Sequence, residues 1–319
     1  MDAIQLRNVT KTFGGAAAVD DVSLSVPEGA VYGFIGPNGS GKTTTMRMIV
    51  NIIYPDRGAI SVFGDPPSVR SGIGYLPEER GLYRRMAVRP LLEFHAELRG
   101  GRRITAEINS WLERLDLAHC ATHRLETLSK GMSQKVQFIA AVVPQPRLLI
   151  LDEPLTGLDP VSADSIRSAI LDLRRRGTTV ILSTHDMHAA ERMCDSIFMI
   201  FRGRKVLDGS LESIQRQFGD DTIRVDAEDG AAVLAALPHV EKVRDHGRIQ
   251  EVRIARHADP QEVLQALAAR TRVSSFAIVK PSLEDIFVRI AGPEAADPLA
   301  SQSSAAAASA QAAAGARHV

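Results

Sequence analysis

The sequence has few cysteines and no long apolar segment. Cys120 and Cys194 are the only cysteines among its 319 residues, and they form no CxxC pattern. Disulfide frameworks and zinc sites need more numerous or more closely spaced cysteines, so both are excluded and a reducing compartment is expected. The longest apolar runs, such as residues 138–143, fall far short of the roughly 18 to 20 residues of a bilayer span. The N-terminus lacks the basic start and apolar stretch of a secretory signal, so we expect a cytoplasmic protein without spans of its own.

The chain also carries no formal net charge at pH 7. The 38 basic residues balance 38 acidic residues, so no overall field draws the chain to nucleic acid or to anionic lipid. Any polyanion must therefore be held by a local group of residues. A hydrophobic fraction of 45% and a charged fraction of 24% are ordinary for a globular chain, and the length allows one large domain or two modest ones.

Residues 1–215 have the alternating pattern of a mostly parallel α/β sheet, in which short apolar runs are followed by longer helical segments. Predicted strands cover residues 30–35, 148–151 and 179–183, and predicted helices cover residues 42–53 and the segment between Pro160 and Gly177. The apolar strand runs are continuous, as expected when both faces of a sheet are covered. Residues 86–135 show apolar positions at helical spacing and almost no strand signal, which predicts a helical insert.

A second unit is predicted at residues 220–290. Strand patterns at residues 222–226, 240–244, 248–254 and 273–279 enclose helical patterns at residues 231–237 and 260–269. This order is βαββαβ, the ferredoxin-like arrangement, and predicts a small α+β accessory domain. A short amphipathic segment follows Pro281. Residues 291–319 are dominated by Ala, Ser and Gln, so we expect a disordered tail.

The clearest chemical motif is a phosphate-binding loop. Residues 36–43 fit the pattern G-x-x-x-x-G-K-[ST] and lie between a predicted strand and a predicted helix, which is the context that the motif requires. Backbone amides of such a loop and the positive end of the helix cradle phosphates, Lys42 reaches the β and γ phosphates, and Thr43 supplies a Mg²⁺ ligand. The candidate nucleotide-binding residues here are Gly36, Pro37, Asn38, Gly39, Ser40, Gly41, Lys42, Thr43 and Thr44.

Two carboxylates follow the apolar run at residues 148–151. Adjacent side chains on a strand point in opposite directions, so Asp152 and Glu153 are expected to have different roles. Asp152 could hold Mg²⁺, and Glu153 could orient and deprotonate an attacking water. An acidic pair after a strand is more often a solvated loop, but the neighbouring phosphate-binding loop favours the catalytic interpretation.

Five motifs in register resemble those of the ABC transporter nucleotide-binding domains. The segment Leu128–Met132 is similar to the LSGGQ signature with two substitutions. It stands between the phosphate-binding loop and the strand that ends in Glu153, and the D-loop pair Leu158-Asp159 and the triplet Ser183-Thr184-His185 follow. The resemblance implies that the signature residues Ser129, Lys130, Gly131 and Met132, together with Asp159, act on ATP, and that His185 is a catalytic switch contacting the γ-phosphate.

Two more positions gain a role from this resemblance. Phe13 falls where the family stacks an aromatic ring on adenine, and Glu78 falls at the Q-loop, where it would meet Mg²⁺. The chain departs from the family at two motif positions: Glu78 replaces the Q-loop glutamine, and Lys130 replaces a glycine of the signature. Glu78 adds negative charge near the phosphates, whereas Lys130 adds a cation.

The finer resemblance is to ABC-2 type export ATPases, in particular the sodium-efflux ATP-binding subunits, through residues 74–83, the LSKGM signature and the closing PSLEDIF segment. It implies a P-loop NTPase fold with a helical subdomain, ATP and Mg²⁺ as ligands, and ATP hydrolysis coupled to export. It also implies dimerisation with a second nucleotide domain and attachment to a separate ABC-2 type permease at the inner face of the cell membrane, without nucleic acid. The substrate stays open among sodium, drugs, lipids and polysaccharides. A ribosome- or DNA-associated ABC ATPase is the alternative, and a generic P-loop kinase or GTPase would have no use for the signature.

Overall fold

The computed structural model describes residues 1–67, 72–79, 81, 83–98, 104–219, 221–255 and 258–292. The chain separates into two compact units, with the first ending at Ser210 and the second beginning at Leu211. Most of the predicted tail lies outside the described residues.

The first unit contains two sheets and six helices within its described residues. In chain order its strands are β1 (Asp2–Phe13), β2 (Ala16–Pro27), β3 (Val31–Ile35), β4 (Arg57–Val62), β5 (Ile73–Leu76), β6 (Leu148–Asp152), β7 (Thr179–Thr184), β8 (Ser196–Phe201) and β9 (Arg204–Ser210). Its helices are α1 (Lys42–Ile49), α2 (Val88–Glu97), α3 (Ile104–Arg114), α4 (Lys130–Val142), α5 (Pro160–Arg175) and α6 (Met187–Met193).

The central sheet has the order β5-β6-β7-β3-β8-β9, and all of its pairs are parallel except the last. Every residue of β3, β6 and β7 is buried, as the continuous apolar runs predicted. Because these strands are parallel, their carboxyl ends lie at one edge of the sheet, where ligands bind in open α/β folds. This edge carries Ile35, Asp152 and Thr184. The predicted mostly parallel α/β class is confirmed.

Helix α1 is shorter than predicted, since it ends at Ile49 and not at Ile53. Val50 caps it, and Asn51 follows with a φ of 58°. Asparagine tolerates this left-handed conformation and commonly ends helices there.

A second sheet is antiparallel, has the order β2-β1-β4 and lies outside the strands that the sequence predicts. Both long strands have several register shifts, and their burial alternates imperfectly. Such interruptions blur the period-two pattern from which a strand is predicted. The sheet's inner face joins the central core through residues such as Ile4, Leu6 and Val22.

The described part of residues 86–135 is helical, as predicted, with α2, α3, two short 3-10 turns and the start of α4. Trp111 of α3 meets Phe138 of α4 edge to face, with ring centroids 5.9 Å apart. Aromatic pairs prefer this geometry, and both residues are buried. The insert thus packs against α4, the helix that begins within the signature segment.

The second unit is a four-stranded antiparallel sheet with helices. Its elements are α7 (Leu211–Phe218), β10 (Thr222–Ala227), α8 (Gly230–Ala235), β11 (Val240–Asp245), β12 (Ile249–Ile254), α9 (Pro260–Ala268), β13 (Val273–Val279) and α10 (Leu283–Ala291). The strand order β11-β12-β10-β13 is that of the ferredoxin-like fold, as predicted. A separate core includes Ile223, Val252, Leu234 and Leu267.

Candidate active site

The turn between β3 and α1 forms the phosphate-binding loop. Gly36 has a φ of 154° and Gly41 a φ of 112°. A Cβ on Gly36 would lie 2.2 Å from the Ile200 carbonyl oxygen, and one on Gly41 would lie 2.4 Å from the Ala18 carbonyl oxygen. Both contacts are shorter than side-chain carbons tolerate, so only glycine allows the loop to approach these neighbouring segments.

Lys42 is buried at the first position of α1. Its ammonium donates to the carbonyl oxygens of Gly36 at 2.6 Å and Pro37 at 3.1 Å. Burial lowers the pKa of Lys42, and the carboxylates of Glu153, Asp152 and Glu78 oppose this effect. A buried cation held only by carbonyl dipoles and nearby carboxylates is well placed to receive an anionic ligand.

Asp152 is fully buried at the end of β6. The Ser183 hydroxyl of β7 donates to its Oδ1 atom at 2.5 Å. Burial raises the pKa of Asp152, while hydrogen bonds from Ser183 and Thr43 favour the ionised form. Within the described residues, the Oδ2 atom is buried without a hydrogen-bond partner. Such an orphaned oxygen needs a ligand, and a metal ion or its water fits it.

Glu153 follows with a left-handed backbone, at a φ of 50°. Its amide donates to the hydroxyl of Ser183 at 3.0 Å and to the carbonyl oxygen of the same residue at 3.3 Å. Its Oε1 lies 2.9 Å from Nδ1 of His185, and its Oε2 accepts from the Thr156 hydroxyl at 2.9 Å. The Glu153 side chain is only 6% exposed, against 51% for His185. The carboxylate is therefore held at both oxygens.

Lys42 and Glu153 meet in one open cleft, whose lining does not include Asp152 or His185. Its volume is about 300 Å³, and it is lined by Ala18, Asn38, Gly39, Gly41, Lys42, Thr43, Thr44, Glu78 and Glu153. The size is at the lower end of ligand sites. The cleft brings the phosphate-binding loop, the predicted Q-loop carboxylate and the predicted base together. Ser40 is also buried in the loop, and its hydroxyl has no partner in the described part of the chain.

The residues suit a Mg²⁺ ion that also contacts phosphate. Thr43 and Asp152 offer oxygen ligands, and Asp152 keeps one oxygen uncommitted. In the described residues no three His, Cys, Asp or Glu side chains form a cluster that would hold a metal alone. Mg²⁺ commonly binds through one or two protein oxygens plus substrate phosphates and water, so this sparse set fits.

The signature segment stands apart from the cleft lining. Ser129 caps α4, and its hydroxyl accepts from the Met132 amide at 3.2 Å. Lys130 is exposed, and its ammonium lies against Gly157, since a Cβ there would be 2.8 Å from Nζ. A Cβ on Gly131 would touch Leu158 at 3.5 Å. The segment thus packs on the D-loop of its own chain.

Asp159 is the N-cap of α5, where its carboxylate accepts from the Ser162 amide at 2.9 Å. A hydrogen bond from the Ser162 side chain is the main cause of the lowered pKa of Asp159, and the bond from the Ser162 amide adds to it. Phe13 is about half exposed at the end of β1, next to a turn at Gly14 and Gly15 with positive φ at both residues. The Lys11 ammonium lies 5.5 Å from its ring centroid. Neither residue lines the cleft.

Three residues that support the site were missed by sequence reasoning. Ser183 supports both Asp152 and Glu153, although its motif was noted only for His185. Thr156 holds Glu153 and carries no recognisable signal of its own. Gln137 of α4 also reaches the Q-loop segment, donating to the carbonyl oxygens of Pro77 and Glu79 at 3.3 Å each.

Comparison with known proteins identifies the class. Residues 19–156 match the ABC transporter family, and residues 209–291 match the C-terminal domain family of ATP-binding proteins like DrrA1-3. The ABC transporter ATP-binding protein YhaQ of Bacillus subtilis is 37% identical, over 91% of this chain and 98% of its own length. The Nod factor export ATP-binding protein I of Rhizobium sp. strain N33 is 35% identical, over 92% of this chain and 98% of its own. A solved ATP-binding subunit of an ABC transporter superposes with a TM-score of 0.65 at 30% identity, covering 68% of this chain and 93% of that one.

The chain belongs to the ABC transporter ATP-binding proteins. Its predicted activity as an ATP-binding and ATP-hydrolysing subunit is confirmed, and the comparisons give no support to a ribosome- or DNA-associated role. Among the described residues, no helix is both long and apolar enough to span a bilayer.

Proposed function

We propose that this chain hydrolyses ATP in the cleft beside α1 and thereby drives export through a separate membrane permease. The observation that carries the proposal is the arrangement of Glu153 in the same cleft as Lys42 and Thr43. The candidate base and the phosphate-binding loop therefore line the same cleft and would act on one bound nucleotide. The export direction is supported by the Nod factor export proteins among the relatives.

The chemistry assigned to the residues is an in-line attack of water on the γ-phosphate. Backbone amides of residues 38–44 and the Lys42 ammonium bind the phosphates, and phosphate oxygens replace the carbonyl partners that Lys42 has now. The Glu153 carboxylate takes a proton from the attacking water, the new bond forms between water oxygen and γ-phosphorus, and the bond from that phosphorus to the leaving ADP oxygen breaks. His185 donates to the γ-phosphate.

Mg²⁺ would be held by Thr43 and Asp152, with Glu78 reaching it or its water, and would neutralise charge on the phosphates. The Phe13 ring would stack on adenine, because it is exposed and aromatic next to a glycine turn.

A second nucleotide-binding chain is needed to complete the site. Ser129, Lys130, Gly131 and Met132 do not line the cleft that holds Glu153, and Asp159 does not line it either. We assign these residues to the ATP of a partner chain, a second copy or a similar subunit. Two ATP molecules would then lie between two chains.

We further propose the division of labour along the chain. Residues 1–215 form the nucleotide-binding domain, and residues 220–290 form an accessory domain that supports dimerisation or regulation without a site of its own. The permease is of the ABC-2 type and holds the subunit at the cytoplasmic face of the cell membrane. The permease and not this chain selects the substrate.

The test is the Glu153→Gln variant. It keeps the size and one hydrogen-bonding oxygen but removes the base, so ATP hydrolysis should fall by about 10² to 10⁴, while ATP affinity stays close to wild type. The exposed Glu113 on α3 offers a matched control, Glu113→Gln, which should hydrolyse ATP normally. The variant should also form an ATP-bound dimer in size-exclusion chromatography with Mg²⁺. Wild-type turnover in Glu153→Gln would refute the assignment.

A further inference from the structure

The hydroxyl of Thr156 contacts one carboxylate oxygen of the candidate base, and His185 contacts the other. It donates to Glu153 Oε2 at 2.9 Å, while the amide of Thr156 donates to the Glu153 carbonyl oxygen at 3.2 Å. The first bond involves the side chains, and the second closes a turn of the backbone. Thr156 itself is exposed, whereas Glu153 is buried, so the hydroxyl reaches inward to the carboxylate.

The carboxylate of Glu153 needs such an anchor. A glutamate side chain has three torsions, and the last is broad, so a free carboxylate swings over a wide range. The left-handed backbone and the bonds to Ser183 fix the Cα position. They do not fix the carboxylate plane. His185 engages Oε1, but its side chain is half exposed and is assigned to the γ-phosphate when ATP is bound.

We propose that Thr156 is a positioning residue for ATP hydrolysis: its hydroxyl holds Oε2 of Glu153 and leaves Oε1 as the oxygen that accepts the proton from water. This rests on the proposed role of Glu153 as the base. With Oε2 occupied by a donor, Oε1 is the oxygen on the side of His185. A fixed plane raises the fraction of time that Oε1 faces the water, which speeds the reaction without changing how tightly ATP binds.

A purely structural role makes a different prediction. If Thr156 only closed the turn after Glu153, its backbone amide would suffice, and valine would serve as well as threonine because both are β-branched. Serine would then be the poorer substitute. The positioning role reverses this order, since serine keeps the hydroxyl and valine lacks it.

The experiment compares Thr156→Val and Thr156→Ser in the full chain, each alone and combined with Glu153→Gln, by steady-state ATPase kinetics and ATP binding. Thr156→Val should lower kcat by about 10-fold or more, the effect of losing a hydrogen bond to a charged group, with KM for ATP changed by less than about two-fold. Thr156→Ser should stay within about three-fold of wild type. In the Glu153→Gln background, adding Thr156→Val should leave the residual rate unchanged, because the hydroxyl acts only through that carboxylate.

Thr271→Val is the matched control, since Thr271 is a half-buried threonine whose hydroxyl also donates a hydrogen bond, to the Glu228 carbonyl oxygen in the second unit. It should leave kcat unaltered. Thermal unfolding of each variant separates loss of folded protein from loss of rate. Unchanged or increased kcat in Thr156→Val, an equal deficit in serine and valine variants, or an undiminished loss on top of Glu153→Gln would each overturn the positioning role. Full activity of Glu153→Gln alone would instead overturn the proposed function.

Discussion

Replacing Ser183 with alanine tests how the buried carboxylate at the end of β6 is supported. The change removes one hydroxyl that donates to Asp152 Oδ1 at 2.5 Å and accepts from the Glu153 amide at 3.0 Å. The amide keeps a partner, because the Ser183 carbonyl oxygen lies 3.3 Å away. The loss therefore falls mainly on Asp152, whose other oxygen has no partner within the described residues.

The expected loss depends on pH. A hydrogen bond contributes about 1.5 to 3 kcal/mol when it involves a charged group and about 0.5 to 1.5 kcal/mol when both groups are neutral. The pKa of Asp152 is raised, mainly by burial. Its contribution to stability is therefore full below the ordinary carboxyl pKa and is lost as pH rises through the raised value. Ser183 moderates this loss by favouring the ionised form, so Ser183→Ala should reduce the free energy of unfolding more at a pH above the raised pKa of Asp152 than at a pH below it.

Urea unfolding of the nucleotide-free protein at both pH values measures the two losses. The control is Ser165→Ala, which removes an exposed hydroxyl that donates to the Val161 carbonyl oxygen on α5. The acidic limb of the Mg²⁺-dependent ATPase profile should also move to higher pH, because Mg²⁺ requires the ionised carboxylate. An equal loss of stability at both pH values, with an unmoved acidic limb, would show that Asp152 does not depend on this hydroxyl.

Three further predictions concern nucleotide binding and assembly. Lys42→Ala should lose ATP affinity itself, because it removes a buried cation beside the phosphates, and calorimetry showing unchanged affinity would contradict the phosphate-binding loop. A chain ending at Ser210 keeps the whole core of the first unit and should bind ATP with nearly unchanged affinity; a folded but non-binding fragment would contradict the proposed division of labour. Lys130→Glu should weaken ATP-driven dimerisation by roughly 1 to 2 kcal/mol at low salt and less at high salt, whereas Lys130→Gly should be much milder. Equal dimerisation of the two variants would place this ammonium outside the partner's ATP site.

Sequence patterns were most informative where one physical signal dominated. Continuous apolar runs identified β3, β6 and β7 because both faces of these strands are buried. Proline at the first helical position and glycine after the end correctly bracketed α5, as fixed φ and positive φ require. The predicted βαββαβ order agrees with the structure because short turns separate the strands and helices of the second unit in the sequence.

The supporting contacts of the site were harder to predict. Ser183 and Thr156 are polar residues of ordinary type, and their importance comes from a distance to Glu153 that only the folded chain defines. Ser183 lies 30 residues from Glu153 in sequence, and the two meet because β6 and β7 are parallel neighbours. Motif spacing reports the groups that touch a ligand, whereas the groups that orient them depend on register and on turn geometry.

The packing of the signature segment against the loop after β6 has a mechanical consequence. Gln134 donates to the Pro154 carbonyl oxygen at 3.4 Å, and Lys130 and Gly131 lie against Gly157 and Leu158. The start of α4 therefore contacts that loop on both sides of Thr156. A force applied to the helical insert and carried by α4 would reach the Glu153 carboxylate through only a few covalent bonds and one hydroxyl. The place of α4 and the hold that the Thr156 hydroxyl has on the Glu153 carboxylate are therefore linked through this one loop.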